Sequence, residues 1–536
     1  MIKRLLFLLS LLSGSALAYT VNANTYLTDG SQADVQAACS AVPDNGTITV
    51  QIPNGTYSWT GNLSITNSLT LAGVSASGVT IQNNNDASDL IDVTSSAKGH
   101  TNIYWLNFVQ VANNSGGQGY SINISRSDSV HTVLVHDCTF NNAINNIFDY
   151  EVNVQQNGVI FWNDTFVGNG QNAEGYTGGS LTGINFVALG YGYTSSWNTP
   201  DTMGAADTTG LNNSYVENCT FYDSTDSSSN ADDSSRVVFR FNIFQDAMIM
   251  SHGQDTSIVG VRHWEVYNNR FIFNSSGTGP SGCTYPINMQ GWMTVRGGTG
   301  IVTGNSMDDI PSKCGVELNV YSINAGFNDG DYATACSIQY PAPHQTGWGW
   351  SASSTAYFGQ VDDATNPQRL VGGKSPGAFA PDGNGAALDP VYVWNNTGGE
   401  TTDPSYVVAN QYTPDNCGDG EVITTYLQKN RDYYVDVAKP GWSPYPYPHP
   451  LHAQFAIGGY ATWEQSLFSW MGSIKVHPLR LSKIEKWVTS NPPAAPYSSW
   501  ESSLNSYMSS VHVDKVRMNM INRWMVANPP TPQDSP

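Results

Sequence analysis

The sequence predicts an all-β solenoid of stacked coils, and three observations carry the prediction. The first is a repeat: VLVHDCTF (133–140), VIFWNDTF (159–166), SYVENCTF (214–221), VVFRFNIF (237–244), WEVYNNRF (264–271) and GIVTGNSM (300–307). The closing residues are Phe140, Phe166, Phe221, Phe244, Phe271 and Met307, at gaps of 26, 55, 23, 27 and 36. A period near 25 is one solenoid turn per repeat. The gap of 55 fits two coils, the second containing GINFVALG (183–190).

The second observation is alternation. Five residues back from each closing residue stand Val135, Phe161, Val216, Phe239, Val266 and Val302, apolar throughout. Four back stand His136, Trp162, Glu217, Arg240, Tyr267 and Thr303; six back stand Leu134, Ile160, Tyr215, Val238, Glu265 and Ile301. Side chains alternate across a strand, so the first column faces inward and the other two outward. Coils stack about 4.8 Å apart, which predicts an outer ladder Glu217–Arg240–Tyr267 with Glu265 beside it. The third observation is composition. Only 12% of residues are charged, and Gly numbers 51. With abundant Ser, Thr, Asn and aromatics, this suits many strands joined by turns.

In chain order, residues 1–18 come first. A positive start (Met1-Ile2-Lys3-Arg4), the apolar run LLFLLSLLSG and Ala16-Leu17-Ala18 form a secretory leader cut after Ala18. The expected location is secreted, extracellular or periplasmic. No later apolar run reaches the roughly 20 residues a spanning helix needs, so membrane insertion is not expected. Residues 19–455 form the solenoid, irregular and loop-rich from about 312. LSITNSLTLAG (63–73), VTIQNNN (79–85) and IYWLNF (103–108) extend the pattern towards the N-terminus, and VYVWNNTGG (391–399) reads as a late coil. KPGWSPYPYPHPL (439–451) takes an extended path laced over the solenoid surface. Residues 456–536 are helical and Pro-rich. There IEKWVTSNPP (484–493) and INRWMVANPP (521–530) repeat as short helices stopped by Asn-Pro-Pro. Such helices could pack on the solenoid, cover its open end or mediate attachment.

The chain has seven Cys, an odd number, so one at least is unpaired. Cys138 and Cys219, in HDCTF and ENCTF, read as small buried residues at equivalent coil positions. Cys283, Cys314, Cys336 and Cys417 could pair in an oxidising compartment. A net charge of −21 argues against nucleic acid and anionic membranes. It also disfavours a polyanionic substrate unless a cation such as Ca²⁺ bridges the two.

ADVQAACSAVPDNGTITVQIPNGTYSW (33–59) and the Asn-rich turns NNRF and NCTF resemble the pectate-lyase-like right-handed parallel β-helix superfamily. The resemblance covers about residues 25–310. It implies a right-handed parallel β-helix with an N-terminal capping helix, and a protein that cleaves or binds polysaccharide. VFRFNIF, SHG, WEVYNN and KPGWSPYPYPHPL are also similar to a group of bacterial secreted β-helix proteins, mostly of unassigned activity.

The candidate chemistry follows from what glycosidic cleavage needs. A lyase needs a base, and a cation or Arg to neutralise a uronate carboxylate. Arg240 fits the clamp or base, and His252 or Tyr267 the proton relay. A hydrolase needs two carboxyl groups flanking the bond. Glu217 and Glu265, two coils apart, keep that reading open at about 9.6 Å along the axis. Trp162 and His136 could form outlying subsites, and Arg262 and His263 lead into the same strand. The competing reading of Arg240 is a surface salt bridge with Glu217. Asp232 and Asp233, in an acidic loop, are weak Ca²⁺ candidates. The expected function is a secreted carbohydrate-active protein, with β-elimination of a uronate-containing glycan preferred. The alternatives are an inverting glycoside hydrolase and a non-catalytic glycan-binding or adhesion protein.

Overall fold

The computed structural model describes most strands and turns between residues 19 and 452, and parts of 467–525. Residues 1–18, 169–182, 188–206, 252–260, 273–290, 320–345, 352–384, 399–406, 411–426, 453–466 and 526–536 lie outside the description, with shorter stretches between strands.

Each coil lays one strand in each of three sheets. Among the described residues, sheet 1 has 13 strands and sheets 2 and 3 have 10 each. All pairings within them are parallel except the first, Thr20–Asn22 with Thr25–Leu27. This is a parallel β-helix. A separate antiparallel pair, Trp348–Ser351 with Gly385–Leu388, stands apart from the three sheets. Helix α1 (Gln32–Ala41) packs on the first coil, at the strands Thr49–Ile52 and Leu63–Ile65. The Ser31 side chain accepts from the Asp34 N–H at its start, a normal N-cap.

The expected inward column is in register from end to end: Val50, Leu71, Ile103, Val135, Phe161, Val216, Phe239, Val266, Val302 and Val393. All are buried. In sheet 2 the closing residues stack as rings. Phe140, Phe166, Phe221, Phe244 and Phe271 lie 4.8 Å apart, centroid to centroid. Such stacked pairs contribute about 0.5–1.5 kcal/mol each beyond burial.

The turn from sheet 1 to sheet 2 explains the Asn, Asp and Gly of the repeat. Its first residue has positive φ: Asp137, Asn163, Asn218, Asn268, Gly304 and Asn395 lie between 52° and 67°. Asn, Asp and Gly tolerate this conformation best. The next residue points inward: Cys138, Asp164, Cys219, Asn242, Asn269, Asn305, Asn396, all buried. From Asn242 onward these form a hydrogen-bonded ladder. Asn269 Oδ1 accepts from the Asn242 N–H and Nδ2 at 2.9 Å, and Asn269 Nδ2 donates to Phe239 O at 2.9 Å. Asn305 and Asn396 repeat the pattern.

One expectation is corrected. The strand Val159–Trp162 pairs directly with Ser214–Glu217, and Thr165–Val167 with Thr220–Tyr222. The gap of 55 is therefore one enlarged coil, not two. Ile184–Val187 is that coil's strand in sheet 3, between Val152–Val154 and Ser229–Asp232. Val391–Trp394 pairs with Thr299–Thr303 and is the late coil expected. Cys39, Cys138 and Cys219 are buried free thiols; Cys283, Cys314, Cys336 and Cys417 lie outside the described residues.

Towards the C-terminus, helix α2 (Tyr497–Ser510) lies between the two Asn-Pro-Pro repeats. Leu467, Met471, Ile484, Val488, Trp500, Leu504, Met508, Ile521 and Met525 share a core that, among the described residues, includes none from the solenoid.

Candidate functional site

Sheet 1 delivers the outer ladder as the spacing predicts. Glu217 pairs with Arg240, and Arg240 with Tyr267. The neighbouring column carries Tyr215, Val238, Glu265, Ile301, Tyr392 and Tyr434. What the spacing does not predict is burial. Glu217 and Arg240 are at 0% exposure and Tyr267 at 1%. They are outside the solenoid core, yet sealed.

The seal is the segment Lys439–His452, a strap across the outer face of sheet 1. It packs an apolar layer there, with Tyr445 and Leu451 against Leu134, Ile160, Trp162, Tyr215, Val238 and Tyr267. Arg240 is the anchor of its polar contacts. Nη1 donates to Tyr445 O at 2.8 Å and to the Tyr267 hydroxyl at 3.0 Å. Nη2 donates to Pro446 O at 2.7 Å, and Nε to Glu217 Oε1 at 2.7 Å. Nη2 donates to the same Glu217 Oε1, so two guanidinium nitrogens converge on one carboxylate oxygen. Glu217 Oε2 accepts from the His449 N–H at 3.2 Å. The expected surface salt bridge is thus a buried one, and its charges are matched by strap and sheet together.

Electrostatics follow from that enclosure. Burial pushes the Glu217 carboxyl up, but the Arg240 guanidinium beside it outweighs that and holds the group below the usual carboxylate range. Burial opposes charge on Arg240, but Glu217 outweighs it and keeps the guanidinium charged. Burial raises the Tyr267 hydroxyl, against Arg240, so it remains a phenol.

The other expected residues fall around this cluster. Glu265 Oε2 accepts from Trp442 Nε1 at 3.1 Å, and its Oε1 lies 3.2 Å from His263 Nε2. His263 and Arg262 are buried at the start of the same strand, not on an open turn. Trp162 and His136 were expected as exposed sugar contacts. They are 3% and 1% exposed, stacked on each other at 3.9 Å, with His452 on the other face of Trp162 at 4.3 Å. With the strap in place neither is exposed. Glu217 and Glu265 do lie two coils apart, but both carboxylates are already engaged. His252 and Asp233 lie outside the described residues, and Asp232 is described only as the end of a sheet 3 strand. Among the described residues no group of three His, Cys, Asp or Glu is placed to hold a metal.

Sequence reasoning missed the strap's own contributions: Trp442, Tyr445, His449 and His452. The signal was the Pro-His-Pro segment, read as lacing without its partners. It also missed Asp207, whose carboxylate accepts from the Tyr215 hydroxyl at 3.0 Å and from the Asn213 N–H at 3.1 Å. Phe241 is a further marker. It holds φ 59° where most coils have Asn, Asp or Gly, and its ring stacks on Tyr447 of the strap at 3.7 Å. A bulky residue in that conformation is strained by about 1–2 kcal/mol, which the stack offsets.

Beyond the strap's anchor, the outer face changes character. Tyr392 and Tyr434 are partners in register, rings stacked 5.1 Å apart, and Trp394 meets Trp442 edge-on at 5.5 Å. All four are half-buried. Lys439 Nζ pairs with Asp389 at 2.9 Å and lies 5.5 Å from the Tyr392 ring centroid. This is an aromatic surface rimmed by one cation and one anion.

Fold and site together define a parallel β-helix with a strapped outer face. No family model matches the chain, and no curated protein does. Several solved chains are similar, and two of them show the extent of the likeness. One is a mannuronic acid specific polysaccharide family 6 lyase from human gut microbiota: 12% identity, TM-score 0.30, over 55% of this chain and 66% of that one. The other is the Escherichia coli protein YbhC: 11% identity, TM-score 0.24, over 71% of this chain and 86% of that one. TM-scores this low carry no argument about activity, and the fold assignment stands on the strand pairing.

Proposed function

We propose that this is a secreted carbohydrate-active protein that holds a polysaccharide along the outer face of sheet 1. The sugar platform is the half-exposed aromatic group Tyr392, Trp394, Tyr434 and Trp442. The supporting observation is the register: Tyr392 and Tyr434 are stacked cross-strand partners, with Trp394 in the adjoining column. Aromatic rings offer apolar faces to the C–H face of a sugar while their polar tips stay wet. Lys439 and Asp389 supply a donor and an acceptor at the rim. The leader at residues 1–18 supports an extracellular or periplasmic setting, and kinship with the pectate-lyase-like superfamily belongs to the same reading.

The test is retention of the purified mature chain in gels carrying neutral or uronate polysaccharides at pH 7.5. Trp394→Ala and Tyr434→Ala should each weaken retention about ten-fold, the scale of one lost aromatic contact of about 1.4 kcal/mol. No retention on any polymer, or retention indifferent to both changes, would contradict the proposal.

Cleavage is the second reading. It is favoured by a guanidinium, a carboxylate, a phenol and two imidazoles gathered at one place, the Glu217–Arg240–Tyr267 cluster with His449 and His452. β-Elimination with Arg240 facing a uronate remains preferred over hydrolysis by Glu217 and Glu265, and His252 remains a candidate proton relay. With the strap in place, every nitrogen of Arg240 is engaged, so turnover there requires the strap to leave. Ultraviolet-absorbing unsaturated ends identify a lyase, and new reducing ends without them a hydrolase. Neither product leaves the non-catalytic binder.

A further inference from the structure

Two histidines pack in the strap, and the bonds of one of them require a neutral ring. His449 Nε2 lies 2.9 Å from Asp207 O, and His449 Nδ1 accepts from the Leu451 N–H at 3.2 Å. A carbonyl only accepts, so Nε2 carries the hydrogen and Nδ1 the lone pair. A second proton, on Nδ1, would point at the Leu451 donor. His452 is stacked on Trp162 and 4% exposed, with Nε2 3.2 Å from Glu217 Oε2 but off line for a hydrogen bond.

The groups facing these imidazoles leave little to stabilise added positive charge. Glu217 is already matched by Arg240 on the next strand. Asp207, ahead of the strand Ser214–Glu217, is already held by the Tyr215 hydroxyl and by the N–H groups of Leu211, Asn212 and Asn213. His136, on the far side of Trp162, has its Nδ1 2.7 Å from Asp137. Tyr267 and Tyr445 are buried with the cluster. Gly441, near the strap's start, holds φ +73° with open space where a Cβ would stand, a left-handed turn that glycine takes without strain.

We propose that the strap is a pH-sensitive latch over the Glu217–Arg240–Tyr267 cluster, shut at neutral pH and released when His449 and His452 take up protons. Release frees Arg240 Nη1 and Nη2 from the carbonyls of Tyr445 and Pro446. They become donors to the oxygens of an incoming glycan. As regulation of the outer face of sheet 1, the latch rests on the reading of that face as glycan-facing.

The sign follows from burial. Burial lowers both imidazoles, only partly offset by Glu217: His449 falls below its usual range and His452 falls to about 4. An imidazole in the free strap titrates near 6.5. The closed state therefore binds fewer protons, and it loses ground as pH falls from about 6.5 towards 4. For His452 alone, the closed-to-open ratio should be about thirty-fold lower at pH 5 than at pH 7.5.

Hydrogen exchange on the full mature chain, corrected for the intrinsic rate, reads this directly. The amides of His449, Leu451 and His452 are bonded in the closed strap. They should lose about thirty-fold or more of their protection between pH 7.5 and 5, while the amides of Val238 and Val266 in sheet 1 keep theirs. His452→Gln should flatten the dependence. Strap protection unchanged at pH 5, or lost in step with sheet 1, overturns the latch. Glycan retention by the aromatic platform at pH 7.5 is scored separately. Its failure removes the glycan reading and leaves the latch to stand or fall on exchange.

Discussion

Two polar ladders climb this solenoid with the same coil-to-coil step, and they are satisfied in opposite ways. Inside the turn between sheets 1 and 2, Asn242, Asn269, Asn305 and Asn396 bond only to the coils above and below. On the outer face of sheet 1, Glu217 and Arg240 are equally buried, but Arg240 reaches for carbonyls 205 and 206 residues away. The first ladder is complete as soon as coils stack. The second is a liability until the strap arrives, because an unpaired buried charge costs far more than an unpaired amide. Stacking alone can solve an uncharged polar column; a charged one needs a partner from elsewhere in the chain.

The largest effect should come from breaking the outer ladder. Arg240→Ala strands the Glu217 carboxylate and two strap carbonyls, and should cost about 3–5 kcal/mol in chemical denaturation. Arg240→Met combined with Glu217→Leu should cost much less than the sum of the single changes, since the apolar layer around them remains. Breaking the inner ladder should cost less. Asn269→Ala leaves the Phe239 carbonyl and the Asn242 amide group unpaired, for about 2–3 kcal/mol.

Asp164 sharpens the comparison, being a carboxyl in the inner column. One of its oxygens accepts from the Cys138 N–H at 2.8 Å, and the other has no partner. Burial raises it well above the usual carboxylate range, against that N–H. Its folded-state affinity for a proton exceeds the unfolded one, so its contribution is full below about pH 4 and erodes as pH rises towards the folded value. Asp164→Asn should restore the amide pattern and stabilise by about 1 kcal/mol at pH 8, with less gain at pH 5. An effect of similar size is expected for Trp442→Phe, which removes one hydrogen bond to Glu265, about 1 kcal/mol.

The solenoid was legible because its signal is local. Val135 to Val302 alternate with outward neighbours, and Asn, Asp or Gly marks the turn that needs positive φ. The pairing of Glu217, Arg240 and Tyr267 followed from the same counting. The enlarged coil misled, because a strand of sheet 3 such as Ile184–Val187 is as apolar as one of sheet 1, and length alone does not assign it. The burial of the outer ladder was not legible, since an extended Pro-rich segment carries no period to say which side chains it meets. His449 and His452 went unassigned for that reason. The platform had a readable signal: Trp394 stands in the column of Arg240 and Tyr267, and Tyr392 in that of Glu265.

Hydroxyl-radical footprinting at pH 7.5 tests most directly whether the strap seals the outer face. Tyr267 and Trp162, both outside the solenoid core, should label as slowly as the interior Trp264, while Tyr434 on the platform labels readily. Tyr267 and Trp162 labelling at the rate of Tyr434 would mean the face is open, and the account of a sealed ladder would be wrong.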